Sequence, residues 1–344
     1  MAWYLEEGPD SDVVISTRVR LARNLANTPF PWRLKADELD YVKDKVIKAF
    51  RELCQTTDEK PVILELADLG AIESLALAER RIISRKMLGD GRGKALLLFP
   101  GEASGILVNE EDHLRLYAVS AGLRLGETAD LVAQCATSLE GLLTFAKNTR
   151  LGYLTACPTN TGTGMRASVM LHLPGLIRSG VVRQLAGKLS KAGYVLRGAE
   201  GEGTDARADM IQLSNQVTLG VTKDQLLADL DRLVHEVARE ERKARRVLHA
   251  KDPAALEDEI GRARGLLMNA RLMSSHEAMN LLSLVRLGRE LELADMPDYA
   301  TIQSLLTETG EGALQQRAGK PMDERERDQV RAVTISAALA SNKQ

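Results

Sequence analysis

The sequence predicts an α+β fold in which an antiparallel sheet flanked by helices is followed by an all-α C-terminal domain. Short β-rich segments recur up to about residue 245, but they do not alternate with helices as regularly as a doubly wound sheet requires. After about residue 250 only helical periodicity remains. The 344 residues suffice for two domains, because single cores rarely exceed about 250–300 residues. The predicted domains are 1–245 and 246–344.

Seven segments of the first domain have the composition or alternation of strands. They are 12–15, 62–66, 95–99, 106–108, 151–156, 168–173 and 194–197. Helical segments lie between them. One helix covers 182–189 and stops at Gly193, a suitable glycine for a helix C-terminus. Another begins at Thr222, which forms a capping-box pattern with Gln225.

The second domain is predicted to consist of helices throughout. Apolar residues over 256–270 step by three and four, as in an amphipathic helix. Ser274 and Glu277 form a second capping-box pattern at the start of the next helix. Pro297 interrupts the pattern, a further helical segment runs to Gly310, and a last helix runs from Asp323 to the end.

The composition is typical of a soluble globular protein and argues against a nucleic-acid binder. The formal net charge is -2 and only 3% of the residues are aromatic, whereas proteins that grip nucleic acid are usually basic or rich in stacking rings. The acidic N-terminal segment lacks the apolar core of a signal peptide. The longest strongly apolar run, 95–99, is far shorter than the roughly 20 residues of a membrane helix. We therefore expect neither nucleic-acid nor membrane partners.

The cysteines indicate a reducing compartment. Cys54, Cys135 and Cys157 are few, odd in number and far apart. This spacing disfavours both a disulfide framework and a metal site built on paired cysteines. We therefore expect a cytoplasmic protein, because thiols stay reduced there.

Four segments concentrate arginine and carboxylate beside glycine or turn residues. In chain order they are STRVRLAR (16–23), NEEDHLR (109–115), CPTNTGTGMR (157–166) and RGAEGEG (197–203). Any one of them alone would suggest a solvated loop with surface ion pairs. Their occurrence together in about 190 residues favours a functional site.

These residue types suit ATP-dependent phosphoryl transfer. Arg18 and Arg20 lie two apart after a strand-like run, so on a strand both face the same side and repel unless an anion lies between them. Arginines can neutralise phosphates through charge-assisted bonds of about 1.5–3 kcal/mol each. Carboxylates can align a cationic acceptor and help to remove its proton. A thiol near cations, such as Cys157 near Arg166, is a candidate thiolate.

In this order the four segments resemble the phosphagen kinases, the ATP:guanido phosphotransferase family that includes creatine and arginine kinases. The resemblance covers about residues 12–245. It implies a catalytic domain with an antiparallel sheet flanked by helices. It also implies transfer of the γ-phosphate of ATP to a guanidinium, with Mg2+ held through ATP and no metal site formed by the protein itself.

The resemblance also implies roles for individual residues. Glu111 and Glu202 should hold the guanidinium, with Glu111 preferred over its neighbour Glu110, and Cys157 should lie beside the acceptor. The residues expected to bind ATP are Ser16, Arg18, Arg20, Arg81, Arg115, Arg166 and Arg197.

The sequence departs from the family pattern in two respects. Members that act on metabolites carry an all-α domain before the STRVR segment, whereas here that segment starts at Ser16 and the all-α domain follows the catalytic one. This architecture resembles the bacterial protein-arginine kinases, which phosphorylate arginines within proteins. In detail, Met170 replaces a usual histidine, and Arg81 replaces a frequent adenine-side histidine.

The tail segment RDQVRA (327–332) resembles a motif of the protein-arginine kinases that is implicated in binding phosphoarginine. This makes Arg327, Asp328 and Arg331 candidates for an allosteric site, although Arg327 and Asp328 alone would equally suit a helix-surface ion pair. The resemblance implies the activator McsA, the heat-shock repressor CtsR and the ClpC–ClpP protease as partners, with phosphoarginine as a degradation mark. It also implies a homodimer or a larger homo-oligomer.

Two other functions remain open. A kinase acting on free arginine would use the same residues, and activity on free arginine versus a basic protein would distinguish the two. A non-catalytic adaptor with a kinase fold would bind partners through its helical domain. The presence of Cys157, Glu111, Glu202 and the five phosphate-side arginines argues against the adaptor, because an inactive member should have lost at least one of them.

Overall fold

The computed structural model describes residues 3–56, 60–84, 87–198 and 207–341. Within these ranges the strands are β1 (Val14–Arg23), β2 (Val62–Glu65), β3 (Ala95–Leu98), β4 (Ser104–Val108), β5 (Leu114–Ala121), β6 (Lys147–Asn148), β7 (Gly152–Tyr153), β8 (Met165–His172), β9 (Tyr194–Gly198) and β10 (Met210–Asn215). The helices are α1 (Ala36–Leu53), α2 (Ala71–Glu79), α3 (Leu125–Glu140), α4 (Pro174–Arg178), α5 (Val182–Lys191), α6 (Lys223–Lys251), α7 (Pro253–Asn269), α8 (Ser275–Glu290), α9 (Tyr299–Glu308), α10 (Glu311–Ala318) and α11 (Glu324–Ser341).

One sheet of eight strands forms the centre of the N-terminal part, in the order β2–β3–β4–β5–β1–β8–β10–β9. Every neighbouring pair in it is antiparallel, which confirms the predicted sheet. Strand β1 lies between β5 and β8. The STRVRLAR segment is therefore flanked by the strand that follows the acidic NEEDH turn and by the strand that follows the Cys157 loop.

The central strands give this sheet one apolar face and one cationic face, because successive side chains of a strand point to opposite sides. On β1, Val19 and Leu21 enter the main hydrophobic core, whereas Arg18 and Arg20 line a cleft. The core is completed by α1, α3 and α6, whose apolar residues belong to the same cluster. Burial of one face thus leaves the other free to carry charge.

Helix boundaries follow the capping signals of the sequence. At the start of α6, Thr222 Oγ1 accepts a hydrogen bond from Gln225 N at 3.2 Å and Gln225 Oε1 accepts one from Thr222 N at 3.1 Å. At the start of α8, Ser274 Oγ accepts from Glu277 N at 3.2 Å. Gly193, just after α5, has a φ of +82°, a conformation that glycine adopts without strain. These predicted boundaries are confirmed.

The C-terminal part is helical, as predicted, and has its own apolar cluster formed by residues of α7, α8, α9 and α11. The division at residues 245 and 246 falls inside α6, which runs unbroken from Lys223 to Lys251. Assignment of the two regions as domains therefore stays a prediction. In the described ranges, no helix is both long and apolar enough to cross a membrane.

A buried charge network joins the sheet to the C-terminal helices. Arg245 of α6 donates from Nε to Glu241 Oε1 at 2.7 Å and lies 3.1 Å from Glu290 Oε2 of α8. Glu290 Oε1 also lies 2.9 Å from His172 Nδ1, at the end of β8, and 3.2 Å from Arg286 Nε. All five side chains are at most 3% exposed. Burial lowers the pKa of His172 well below its usual range, so its imidazole is neutral.

Glu241→Ala should be strongly destabilising. The Glu241 carboxylate accepts hydrogen bonds from Gly175 N and Leu176 N, both at 2.9 Å, and pairs with buried Arg245. Its removal leaves a buried charge uncompensated, so the free energy of unfolding, measured in urea, should fall by about 3–5 kcal/mol. Glu240→Ala, at the exposed neighbouring position, should change it by less than about 0.5 kcal/mol. Similar losses in both variants would contradict this role.

Candidate functional site

The cationic face begins with Arg18 and Arg20 on β1. Arg20 is in register with Tyr117 on β5 and with Arg166 on β8, so these three side chains share a face. The Arg18 guanidinium carbon lies 5.1 Å from the centroid of the Tyr117 ring, within range of a cation–π contact. Ser16, two residues earlier, lines the same cleft. Arg18 and Arg20 therefore face one side, as their spacing predicts.

These guanidiniums are partly buried, and there is too little negative charge around them. Burial lowers the pKa of Arg18 and lowers that of Arg20 well below its usual range, and the charges of Arg18, Arg115 and Arg166 add to the effect on Arg20. Among the described residues, nothing accepts a hydrogen bond from the buried Nε atoms of Arg18 and Arg20. Because arginine stays protonated in proteins, this cluster would be stabilised by an anion.

Both glutamates of the NEEDH turn hold Arg115. Its Nη1 pairs with Glu110, and its Nη2 donates to Glu111 Oε2 at 3.2 Å. The Glu110 side chain is 7% exposed and also accepts from Ser84 Oγ at 2.6 Å, whereas that of Glu111 is 43% exposed. The Glu110 carboxylate therefore serves to hold Arg115, whereas the Glu111 carboxylate remains accessible to a ligand.

Asp112 ties the NEEDH turn to the loop that carries Cys157. Its buried carboxylate accepts hydrogen bonds from Asn24 Nδ2 and Ala156 N, both at 2.6 Å. Asp112 follows Glu111 and Ala156 precedes Cys157 in the chain. One carboxylate therefore fixes the two residues that the family resemblance assigns to the acceptor.

His113 strengthens this anchor from the side of β1. Its backbone N–H donates to Asn24 Oδ1 at 2.9 Å, and its Nδ1 accepts from Leu25 N at 3.0 Å. Burial lowers the pKa of His113 to about 4, so the imidazole is neutral near pH 7 and can accept this bond. The end of β1, the NEEDH turn and the Cys157 loop therefore form one hydrogen-bonded unit.

Cys157 is partly exposed, and its Sγ lies 3.0 Å from Thr159 Oγ1. Burial raises the pKa of Cys54 and raises that of Cys135 to about 12, so these two thiols are poor nucleophiles near neutral pH. Cys157 and Glu111 both lie close enough to Arg166 to raise its pKa, against the larger lowering by burial, Arg197 and Arg115. The structure thus brings the predicted thiol to the cationic face.

Arg166 and Arg197 extend the cationic face across the sheet. Arg197 on β9 is in register with Gln212 on β10, which separates it from β8. Burial lowers the pKa of Arg166, and the positive charges of Arg197 and Arg115 lower it further. All five arginines expected to hold phosphate therefore lie together. Glu202, the second predicted carboxylate, lies outside the described residues.

The two positions that depart from the family pattern meet at one end of the cleft. Arg81 Nη1 lies 3.5 Å from Met170 Sδ. Trp3 and Ser16 line the same recess. A thioether and an aromatic ring offer the polarisable apolar surface that a purine ring can pack against. This end therefore suits the nucleoside portion of ATP.

Most of the predicted site residues line a cleft of about 1130 Å³: Ser16, Arg18, Arg20, Arg81, Glu111, Arg115 and Arg197. Cys157 and Arg166 are not among the residues that line it. The cationic sheet face and the end of α2 form one wall, and C-terminal helices form the opposite wall. The residues lining the helical wall include Ser274, Met279, Gln303, Thr307 and Glu324. The volume exceeds the roughly 300–1,000 Å³ of ordinary ligand pockets, so the cleft has room for a second group beside a nucleotide.

The tail motif lies on α11 and lines this cleft too. Arg331 is 2% exposed and donates to Thr309 O at 2.8 Å and to Asp328 Oδ1 at 2.6 Å. Arg327 pairs with Glu311 at 3.3 Å and keeps 20% of its side chain exposed. Arg331 therefore supports the motif from within, and it, rather than Arg327, is the ion-pair partner of Asp328.

Comparison with known proteins places the chain in a family. The model of the ATP:guanido phosphotransferase C-terminal catalytic domain matches residues 41–244, more than half of the chain. The chain belongs to this family. A second model, the protein-arginine kinase McsB C-terminal domain, matches residues 253–344.

Relatives identify the branch of this phosphotransferase family. A protein-arginine kinase of Symbiobacterium thermophilum is 40% identical over 340 residues, which cover 98% of this chain and 96% of the relative. One of Moorella thermoacetica is also 40% identical over 340 residues, with 98% and 97% covered. Together with the two family models, these similarities place this phosphotransferase among the protein-arginine kinases.

Solved structures confirm the phosphagen-kinase fold of this phosphotransferase. The duplicated taurocyamine kinase of Schistosoma mansoni with bound transition state analog components has a TM-score of 0.63 at 24% identity, covering 71% of this chain and 35% of that one. Lombricine kinase has a TM-score of 0.60 at 21% identity, covering 70% and 71%. At such identities the likeness concerns the fold alone.

The sequence predicted the chemical groups of this phosphotransferase but not the residues that hold them in position. Tyr117 could have been found, because it lies two residues after Arg115 on a strand and so shares its face. Asn24 gave no local signal, since its partner Asp112 is 88 residues away. Supports of this kind become visible only when the strands are assembled.

Arg20→Met should weaken ATP binding, measured by calorimetry, by about 10–100-fold, because a hydrogen bond to a charged group contributes about 1.5–3 kcal/mol. The substitution also removes one of several positive charges that lie close together, so the Tm of the ligand-free protein should stay constant or rise. Arg150→Met, at an exposed position outside the cleft lining, should alter neither quantity. A lower Tm with unchanged affinity would make Arg20 a structural residue.

Proposed function

We propose that this protein transfers the γ-phosphate of ATP to the guanidinium groups of arginine residues in proteins. The proposal is carried by the sheet face on which five arginines lie beside Glu111 and Cys157. The cationic groups suit a triphosphate, and a carboxylate with a thiol suits a cationic acceptor. Relatives 40% identical over nearly the whole chain are named protein-arginine kinase, which supports protein arginines as the acceptors.

The phosphates of ATP would lie on the cationic face and the nucleoside at the end near Arg81 and Met170. The residues proposed for the donor site are Ser16, Arg18, Arg20, Arg81, Arg115, Arg166 and Arg197. The described residues contain no group of three or more His, Cys, Asp or Glu side chains that could hold a metal ion. Mg2+ would enter on the ATP phosphates, where it supplies further charge neutralisation.

In the transfer, a guanidinium nitrogen attacks the γ-phosphorus while the bond from that phosphorus to the bridging oxygen breaks. A nitrogen–phosphorus bond forms, and ADP leaves. The proton lost by the attacking nitrogen would pass to the carboxylate of Glu111 or Glu202. The Cys157 thiolate would pair with the guanidinium and keep its nitrogen in line with the phosphorus.

A free-arginine kinase is the second candidate, because the same groups would serve a small guanidine. The size of the cleft favours an arginine attached to a polypeptide. Its volume is about 1130 Å³, and its helical wall includes Ser274 and Glu324, which lie far from the sheet in the chain. Pockets for small ligands usually enclose 70–90% of the ligand surface, which so large a cleft does not favour.

The cellular role that we propose follows from membership of the protein-arginine kinase branch. Phosphoarginine would mark proteins for the ClpC–ClpP protease and control the repressor CtsR, and McsA would activate the enzyme. The region 1–245 would be catalytic, and the region 246–344 would serve regulation, docking and dimerisation in a cytoplasmic homodimer or larger oligomer. Support comes from the match of residues 253–344 to the McsB C-terminal model.

We also propose that the tail motif binds phosphoarginine as an allosteric ligand. Arg327 would contact the phosphate and Asp328 the guanidinium. Arg331 would hold Asp328 in place, because it donates to both Asp328 and Thr309 O. The location of all three residues on the cleft lining supports access by a ligand.

Incubation with Mg-ATP and an arginine-rich basic protein, in parallel with free arginine, tests the proposal. Mass spectrometry at non-acidic pH should detect phosphate on protein arginines, because the nitrogen–phosphorus bond is acid-labile. Cys157→Ser should lose most of the transfer while its ATP affinity stays unchanged. Phosphate on free arginine alone would favour the second candidate. Equal loss of ATP binding in Cys157→Ser would place the thiol away from the acceptor.

The two glutamates of the NEEDH turn should differ in kinetic effect. Glu111→Gln should lower kcat by about 10²–10⁴-fold, because it would impair positioning of the acceptor and removal of its proton. Glu110→Gln should mainly raise the KM for ATP, since Glu110 holds Arg115. Steady-state kinetics with the basic protein distinguishes the two outcomes. A near-normal kcat in Glu111→Gln would exclude its catalytic role.

A further inference from the structure

The end of α2 lies at the seam between the sheet and the C-terminal helices. Its last residue, Glu79, is followed directly by Arg80 and Arg81, and all three line the cleft. Arg80 Nη1 donates to Glu102 Oε2 at 2.8 Å, and Arg81 contacts Met170. These contacts place the two arginines at the nucleoside end of the cleft.

Glu79 itself is bonded to the C-terminal helices. Its carboxylate accepts hydrogen bonds from Gly312 N at 3.0 Å and from Ala313 N at 3.1 Å, in the first turn of α10. Such N–H groups have no partner within their own helix, and a carboxylate there also interacts favourably with the helix dipole. The N-cap residue of α10 is Gly310, which has no side chain to supply a cap. Glu79 therefore caps a helix that belongs to the other part of the chain.

Two glycines adapt α10 to this contact. A Cβ atom on Gly310 would lie 2.4 Å from Glu79 Oε2, and one on Gly312 would lie 2.5 Å from Ala76 N in α2. The backbone of α10 approaches α2 so closely that a side chain at either position would force a shift. The position of α10 is therefore tightly coupled to the residues that precede Arg80 and Arg81.

The turn before α10 is held from its other side by α11. Arg331 Nε donates to Thr309 O at 2.8 Å, and Arg327 pairs with Glu311 at 3.3 Å. The segment 309–313 is thus bonded to the tail motif on one side and to Glu79 on the other. A displacement of α11 would therefore move the segment 309–313 and, through Glu79, the residues at the nucleoside end of the cleft.

We propose that Glu79 is a positioning residue for nucleotide binding. By holding the start of α10, Glu79 fixes the position of Arg80 and Arg81. It also couples the position of Arg327, through α10, to the nucleoside end of the cleft. The inference rests on the proposed function in taking ATP as the nucleotide and in placing its nucleoside near Arg81 and Met170.

Glu79→Gln and the control Glu73→Gln test this role with the same substitution on the same helix. Glu73 is exposed and bonds to Gly70 N at the start of α2, outside the cleft lining. Glu79→Gln, which keeps only one good acceptor and no charge, should raise the Kd of Mg-ATP and the KM for ATP about tenfold, with kcat within about twofold. Glu73→Gln should match the unsubstituted protein.

Several outcomes decide the question. Equal Kd values for Glu79→Gln and Glu73→Gln would overturn the proposal, as would a fall in kcat without a change in KM. If Glu79→Gln does not fold, Glu79→Asp, which keeps the charge on a shorter side chain, replaces it and should give a smaller rise in Kd. Measurable ATP binding without any arginine phosphorylation in the unsubstituted protein would count against the proposed function, whereas the calorimetric comparison would still decide the role of Glu79.

A double-mutant cycle tests whether Glu79 transmits changes at Arg327. Arg327→Ala should raise the Kd of Mg-ATP by a few-fold, and adding it to Glu79→Gln should raise the Kd no further, because both changes act on one chain of contacts. Fully additive effects would exclude coupling through Glu79.

Discussion

Repulsion among the partly buried guanidiniums of Arg18, Arg20, Arg115 and Arg166 is the constraint on which the rest of the structure depends. Cations on adjacent strands disfavour the ligand-free fold, so the stabilising free energy has to come from elsewhere. The opposite face of the sheet provides it through the large core with α1, α3 and α6. A bound anion would relieve the repulsion, which links ATP binding to stability.

The fold class and the functional segments were readable from the sequence because both depend on local patterns. Arg18 and Arg20 are two residues apart, and this spacing predicted that both face the same side of a strand. The capping patterns at Thr222 and Ser274 predicted where α6 and α8 begin. The extent of β1 through Arg23 and the whole of β5 and of β10 were missed. Charged residues in a strand usually face solvent. The local sequence cannot show whether such residues face solvent or a cleft whose other wall is formed by residues far along the chain.

The supports of the site were not predictable, because their partners are distant in sequence. Asp112 and Ala156 are 44 residues apart, and Glu79 and Gly312 are 233 apart. Each of these carboxylates satisfies backbone N–H groups that lack another partner in their own element, a need that arises only after the elements have packed. Short motifs thus supply the chemical groups of the site. Single residues far apart in the chain hold those groups in position.

The continuity of α6 has a practical consequence for dividing this protein. A chain cut near residue 245 would end inside a helix and next to Arg245, which bonds to Glu241 and Glu290. A cut after Lys251 would spare the helix, but it would remove α8 and leave His172 without Glu290. Two family models match the chain, yet neither half would keep its buried charges paired alone. Separating the two regions should therefore destabilise both of them, because each would keep buried charges without their partners.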